Sequence, residues 1–269
     1  MVNLHLEALD WIESLTLHAC VVAVGCVLVF RGRITETALG AVVVISGLCI
    51  WTQHVAVFGS VVLMFVSSSV FTRVGANKKR KLHNVRPEDA KRSWVQAICN
   101  LGPACVAVAV NAIVPNDYAE VAAFASIAAA NADTWSSELG VLSRKQPRFI
   151  LSRQVVHPGI SGGVTAFGML AACAGAVAIA GVYALTHADM FGTWCIALAG
   201  VAGSVFDSIL GEKYQAGFRR EGHASELFEH GNHLQKGYTW MTNDVVNGIT
   251  TSSIAIASWC ACWISDTMI

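Results

Sequence analysis

Charge is what this chain has least of: Asp, Glu, Lys and Arg together make 13% of its 269 residues, while 54% are hydrophobic. Soluble domains carry about 25% charged residues, so this composition excludes an ordinary soluble protein. No CxxC pair occurs among the nine cysteines (20, 26, 49, 99, 105, 173, 195, 260 and 262), all of which lie in apolar runs. They read as small buried hydrophobes, not as a disulfide framework or metal centre. No basic stretch precedes the first apolar run, where Glu7, Asp10 and Glu13 stand instead. The segment is therefore expected to be mature sequence, neither a secretory signal nor a transit peptide. Neither a P-loop (GxxxxGK followed by Ser or Thr) nor a GxGxxG fingerprint is present, so these two routes to a nucleotide are closed. No nucleic-acid partner is expected.

What is present is a series of eight apolar runs, near 15–30, 38–51, 55–71, 94–114, 118–137, 164–185, 194–210 and 245–264. A span of about 20 residues crosses the hydrocarbon core, and 269 residues accommodate about eight. Short connections fall at Gly32, Thr52, Pro115 and Ala188, and three long ones at 72–93, 139–163 and 211–244 share one side. With eight spans and both termini on the non-cytoplasmic side, all 18 Lys and Arg residues fall on the cytoplasmic, stromal or matrix side, as the positive-inside rule requires. The expectation is an all-α polytopic membrane protein of about eight transmembrane helices forming a single membrane domain, 1–269. Residues 1–71 would be apolar scaffold and 72–253 the core carrying the site. Plastid, endomembrane and prokaryotic inner membrane are not distinguished, and the sequence is silent on oligomeric state.

Against this apolar background the polar residues stand out. The fifth span ends in AAANADTWSSELG, which brings Asn131, Asp133 and Glu138 into an alanine helix. A carboxylate at membrane depth costs about 2.5 to 3.5 kcal/mol on insertion scales, so such a residue is a functional candidate. At 100° per residue Asp133 shares a face with Ser136 and Ser137, and Asn131 shares another with Trp135 and Glu138. Either the helix unwinds near Asp133 or the two carboxylates have separate tasks, for instance one on Mg²⁺ and one on a basic loop residue.

Other connections feed the same side. Arg92, Gln96 and Asn100 form a stripe entering the fourth span, readable as a snorkelling arginine above packing amides or as a phosphate-binding arginine backed by amides. The turn Ser161, Gly162, Gly163 precedes the sixth span, where glycine lets backbone N–H groups approach an anion, although such a turn is often only a turn. Along the seventh span Gly200, Gly203, Asp207 and Gly211 make a stripe whose small residues suit close helix packing but whose Asp207 does not. The eighth opens with Thr242 as a candidate N-cap and sets Asn243, Asp244, Asn247 and Thr251 on one face. His223, His230 and His233 lie in the last long loop without cysteine partners, and their role stays open.

The polar site is thus expected at the cytoplasmic or stromal ends of helices four, five, seven and eight. Asp133, Asp207 and Asp244 are candidate Mg²⁺ ligands and, with Asn247, candidate catalytic residues. Arg92, Gln96, Asn100, Ser161, Gly162, Gly163, Asn131, Glu138 and Asn243 are candidates for phosphate and substrate. Mg²⁺ held by one or two carboxylates plus substrate phosphates is the common arrangement for phosphoryl chemistry, with the apolar helices holding a lipid tail.

The segments NADTWSSELG, PGISGGVTAFG, GSVFDSILGEKYQ and WMTNDVVNGITTSS, in that order, together with FTRVGANKK, resemble the signature blocks of an integral membrane family. That family includes the plant and cyanobacterial phytyl-phosphate kinases and a related animal transmembrane protein. The resemblance covers about 71–253 and implies transfer of phosphate from a nucleoside triphosphate to an isoprenyl (phytyl) phosphate, giving the diphosphate used in tocopherol and phylloquinone synthesis. By position, Asn131, Asp133, Glu138, Asp207, Asn243, Asp244 and Asn247 match the family's polar sites. The loop 218–237 and the first 70 residues depart from the pattern, which leaves substrate choice open. Two further readings stand beside this one: a CTP-dependent lipid nucleotidyltransferase, and a transporter of an anionic solute.

Overall fold

A computed structural model of the chain describes residues 10–32, 34–82, 93–220, 223–225 and 233–268. The helices in order are α1 (Trp11–Phe30), α2 (Glu36–Trp51), α3 (Val55–Arg73), the short α4 (Ala76–Leu82), α5 (Trp94–Ile113), α6 (Asp117–Gly140), α7 (Ala166–Thr186), α8 (Met190–Lys213) and α9 (Asn243–Thr267). The eight long ones coincide within a few residues with the eight apolar runs. Most start at a side-chain cap: Asp10, Thr35, Ser93, Asn116, Thr165, Asp189 and Thr242 each accept the backbone N–H three residues on, satisfying a donor that the first turn leaves unpaired.

Six of these helices, α1, α3, α5, α7, α8 and α9, are long and apolar enough to cross a membrane, and α2 is a shorter apolar helix. The protein is an all-α polytopic membrane protein. The remaining long helix, α6, is different in kind, because Ala119 and every residue of 121–132 are buried against protein. It is the axis of the bundle, packed by α3, α5, α7, α8 and α9. Alanine makes this possible, since small side chains let neighbouring backbones approach. The glycines of α8 and α7 serve the same end. A Cβ on Gly200 would stand 2.7 Å from the Ala176 methyl and 3.0 Å from that of Ala128, and one on Gly175 would meet the Ala132 Cα at 3.1 Å.

Small antiparallel sheets, which the hydrophobic pattern does not announce, occupy two of the long connections. Strand β1 (Arg148–Phe149) pairs with β2 (Gly163–Val164), and β3 (Gly217–Arg220) lies between β4 (His223–Ser225) and β5 (His233–Lys236). Side-chain contacts link the end of α3 to that of α6, the end of α6 to the start of α7, and the start of α9 to the start of α5 and the end of α8. These termini form one end of the bundle, here called the basic end after the Lys and Arg of its connections.

A recessed carboxylate site at the basic end

Four helices meet at one polar cavity inside the basic end, lined by Asn100 of α5, Ala129, Ala130 and Asp133 of α6, Asp207 of α8, and Asn247, Thr250 and Thr251 of α9. At 1.5 Å of rise per residue, Asp133 lies about 10 Å inside the end of α6, Asp207 about 9 Å inside that of α8, Asn100 about 9 Å inside α5, and Asn247 and Thr250 about 6 and 10 Å inside α9. The groups therefore share a depth as well as a cavity. Its volume of about 10 Å³ is the space of a single water-sized sphere.

The hydrogen bonds around the cavity explain its shape. Thr250 Oγ1 donates to Asp207 Oδ2 at 3.3 Å, fixing that carboxylate from the neighbouring helix. Thr251 Oγ1 donates to the carbonyls of Cys99 at 2.7 Å and Asn247 at 2.9 Å, tying α9 to α5. Gly248 lies on the same seam, where a Cβ would be in ordinary contact with the Cys99 Sγ at 3.4 Å. Asn247 is 8% exposed, and its Oδ1 has no hydrogen-bond partner among the described residues. The Asp133 carboxylate makes no hydrogen bond or ion pair with any described residue. Two carboxylates, two carboxamides and two hydroxyls thus surround one small space, an oxygen donor set of the kind hard cations take. Among the described residues no group of three or more His, Cys, Asp or Glu stands together as a preformed metal cluster.

Other candidates lie apart from this cavity. Helix α6 runs unbroken to Gly140, so the choice posed by Asp133 and Glu138 resolves toward separate tasks. Glu138 accepts from Thr72 Oγ1 at 2.6 Å and pairs with Lys79 Nζ at 2.5 Å, which fastens α4 to the end of the axis helix. Asn131, fully buried, donates through Nδ2 to the Gly175 carbonyl at 2.8 Å, so its amide holds α6 to α7. Trp135, on the same face, donates to Ser67 Oγ at 3.0 Å. Asn243 is exposed and Asp244 half-buried; neither lines the cavity, which Asp133 and Asp207 share without Asp244. Gln96 lies in the first turn of α5 outside the cavity, and Arg92 and His230 lie outside the described residues.

The turn at 161–163 is shaped by packing. A Cβ on Gly162, whose φ is +85°, would come within 2.8 Å of the Glu212 Cα and the Ser208 carbonyl. Ser161 Oγ accepts from Gln215 Nε2 at 2.8 Å, and Lys236 Nζ donates to the carbonyls of Gly211 at 2.9 Å and Ser161 at 3.4 Å. Glu212 accepts the backbone N–H groups of Leu151 and Ser152 at 2.8 Å. The turn, β5 and the end of α8 are thereby locked together, and Gly162 is glycine because the backbone of α8 passes against it.

Two residues of consequence were not singled out from the sequence. Thr250 follows Asn247 by three positions, a helical neighbour spacing that would have placed it beside the site. Lys79 sits in the FTRVGANKK block, but nothing local distinguishes it from Lys78.

This architecture, an apolar helical bundle around a polar axis helix with a carboxylate cavity recessed from one end, defines a multi-pass integral membrane protein with a buried polar site. The chain belongs to the integral membrane protein family DUF92, whose model matches residues 18–255. It is 34% identical over 203 residues to Protein PGR of Arabidopsis thaliana, covering 64% of this chain and 70% of that protein. To an uncharacterized membrane protein of Methanocaldococcus jannaschii it is 35% identical over 151 residues, 56% of this chain and 62% of that one. No solved structure matches the chain.

Proposed function

We propose that the protein is a lipid-phosphate kinase, passing phosphate from a nucleoside triphosphate to an isoprenyl phosphate such as phytyl phosphate. The observation that carries this reading is the common depth of Asp133, Asp207, Asn100 and Asn247 around one cavity. That depth is about 10 Å from the basic end of helices about 36 Å long, which suits a phosphate headgroup whose tail stays in the bilayer. A solute carrier would be expected to bind nearer the midplane, at helix breaks, and α6 has none.

In this reading an oxygen of the lipid phosphate attacks the terminal phosphorus of the donor, the bond to the bridging oxygen breaks, and nucleoside diphosphate leaves. The acceptor is already an anion at neutral pH, so no strong base is required. Asp133 and Asp207 are the proposed Mg²⁺ ligands, with Asn247 Oδ1 and Asn100 beside them, and Thr250 keeps Asp207 in place. Bound there, Mg²⁺ would offset the negative charge that gathers on the transferred group. Arg92 and the basic connections are assigned to the phosphates from sequence alone.

The test is incubation of the purified protein with phytyl phosphate, Mg²⁺ and each of ATP, CTP and UTP, with both products identified. The expected products are phytyl diphosphate and nucleoside diphosphate, lost in Asp133→Asn and Asp207→Asn. Release of pyrophosphate instead would make the protein a nucleotidyltransferase, and no diphosphate from folded protein under any donor would end the kinase assignment.

A further inference from the structure

Above the cavity the two helices that supply Asp207 and Asn247 are joined by the β3 to β5 sheet, and three aromatic rings stack across that junction. Tyr214 is the residue that ends α8, Tyr238 follows β5, and Trp240 stands two residues before the Thr242 cap of α9. The Tyr214 and Tyr238 rings are 6.5 Å apart and inclined by 14°; those of Tyr238 and Trp240 are 6.1 Å apart and inclined by 23°. The rings are 38%, 55% and 61% exposed. The backbone beneath them is fixed, since Tyr238 N–H donates to the Tyr214 carbonyl at 3.1 Å and Ala216 N–H to that of Met241 at 2.9 Å.

Exposed Trp and Tyr residues commonly anchor membrane proteins at the headgroup level. This protein has such residues elsewhere: Trp11, Trp51, Trp94, Trp194 and Trp263 are all about half exposed or more at helix ends, and among the described residues none stacks on another aromatic ring, Trp51 only donating its indole N–H to His18 Nδ1 at 3.1 Å. The Tyr214, Tyr238 and Trp240 group differs, because the end of α8 and the turn before α9 bring near-parallel rings together on a backbone tied by hydrogen bonds. Tyr214 follows Asp207 by seven residues, about 10 Å along α8, an interval of the order of an extended triphosphate tail. Strand β3 also carries Arg219 and Arg220.

We infer that this aromatic ladder is the platform on which the base of a nucleoside triphosphate stacks, with the phosphates directed down toward the Asp133 and Asp207 cavity. The inference rests on the kinase reading for the identity of the donor. Stacking on an aromatic face tolerates any base, so the platform would give affinity for nucleosides with little choice among them.

The experiment uses full-length protein with ATP, CTP and inorganic triphosphate, the last having phosphates but no base. Trp240 emission, taken as wild type minus Trp240→Phe, is expected to change with ATP and CTP and not with inorganic triphosphate. In turnover with phytyl phosphate, Trp240→Ala and Tyr238→Ala are expected to raise the KM for ATP about tenfold with kcat held, and Trp240→Phe, which retains an aromatic face, to raise it less. Quenching of Trp240 by brominated lipid with no response to ATP would make the ladder a membrane anchor and overturn the proposal. Diphosphate formation with an unchanged KM in both alanine variants would overturn the platform while leaving the reaction standing. A base-dependent Trp240 response without any lipid diphosphate would sustain the platform and remove the reaction.

Discussion

Gly200→Ala is a direct test of how tightly α8 is packed on the axis of the bundle. The added methyl would lie 2.7 Å from the Ala176 Cβ on α7 and 3.0 Å from the Ala128 Cβ on α6, where ordinary contact begins at 3.4 Å. One partner must retreat by about 0.7 Å on one side while the other side is also tight, and overpacking of this kind costs about 1 to 3 kcal/mol. At about 3 °C per kcal/mol for a chain of this size, thermal unfolding in detergent is expected to fall by about 3 to 9 °C. Ala176→Gly removes the closest obstacle, so the double variant should recover more than half of the loss, although the new glycine alone costs about 1 kcal/mol in helix propensity. Gly181→Ala and Gly59→Ala are the controls: nothing lies within 4 Å of either added methyl, and each is expected to be neutral or slightly stabilising. A neutral Gly200→Ala, or simple additivity in the double variant, would refute the packing argument.

Asn131→Asp and Asp133→Asn should behave in opposite ways. The first sets a carboxylate oxygen against the Gly175 carbonyl in a fully buried place and should cost about 3 kcal/mol in the same unfolding assay. The second removes a carboxylate that no described residue pairs with; it should leave stability unchanged or raised while the proposed lipid-phosphate turnover disappears. Glu138→Gln should loosen α4 from the axis helix and speed tryptic cleavage at Lys78 and Lys79 several-fold, read by mass spectrometry, while Asp133→Asn does not. At the opposite end, His187 Nε2 stands 3.3 Å from Glu120 Oε2, and that hydrogen bond, opposed by partial burial, raises the imidazole pKa above its ordinary value. A raised histidine pKa means that the pair's contribution, about 1 kcal/mol or less, is fully present below about pH 6.5 and lost as pH rises through the folded value. His187→Gln should remove that pH-dependent part of the unfolding profile.

How much of this was readable in advance depends on the period of the signal. The helices were legible because long apolar runs separated by charged connections leave few alternatives, and capping residues such as Thr242 mark their starts. The convergence of Asp133, Asp207, Asn100 and Asn247 also followed from topology, since residues at matched distances from one side of the bilayer must share a depth. What could not be read was which face of each helix meets which neighbour. Asn131 and Asp133 are two residues apart and chemically alike in sequence, yet one clamps α7 and the other opens on the cavity. The glycine turn shows the same limit: Gly162 serves a close approach to the backbone of α8, which the sequence does not announce. The small sheets were illegible because strands of two to four residues leave no hydrophobic period.

The enclosure of α6 by its neighbours has a consequence for how the protein is made. Its four carboxylates, Asp117, Glu120, Asp133 and Glu138, and its mostly alanine body give it little tendency to enter a bilayer alone, each central carboxylate opposing insertion by about 2.5 to 3.5 kcal/mol. It therefore has to be carried in by the helices that will cover it. Of its five partners α3 and α5 are already synthesised when α6 emerges, and Asn100, Asn131 and Asp133 must await α7, α8 and α9 for their final surroundings. Assembly of the site is in this sense the last act of biogenesis, and a chain truncated after α6 would be expected to leave that helix uninserted.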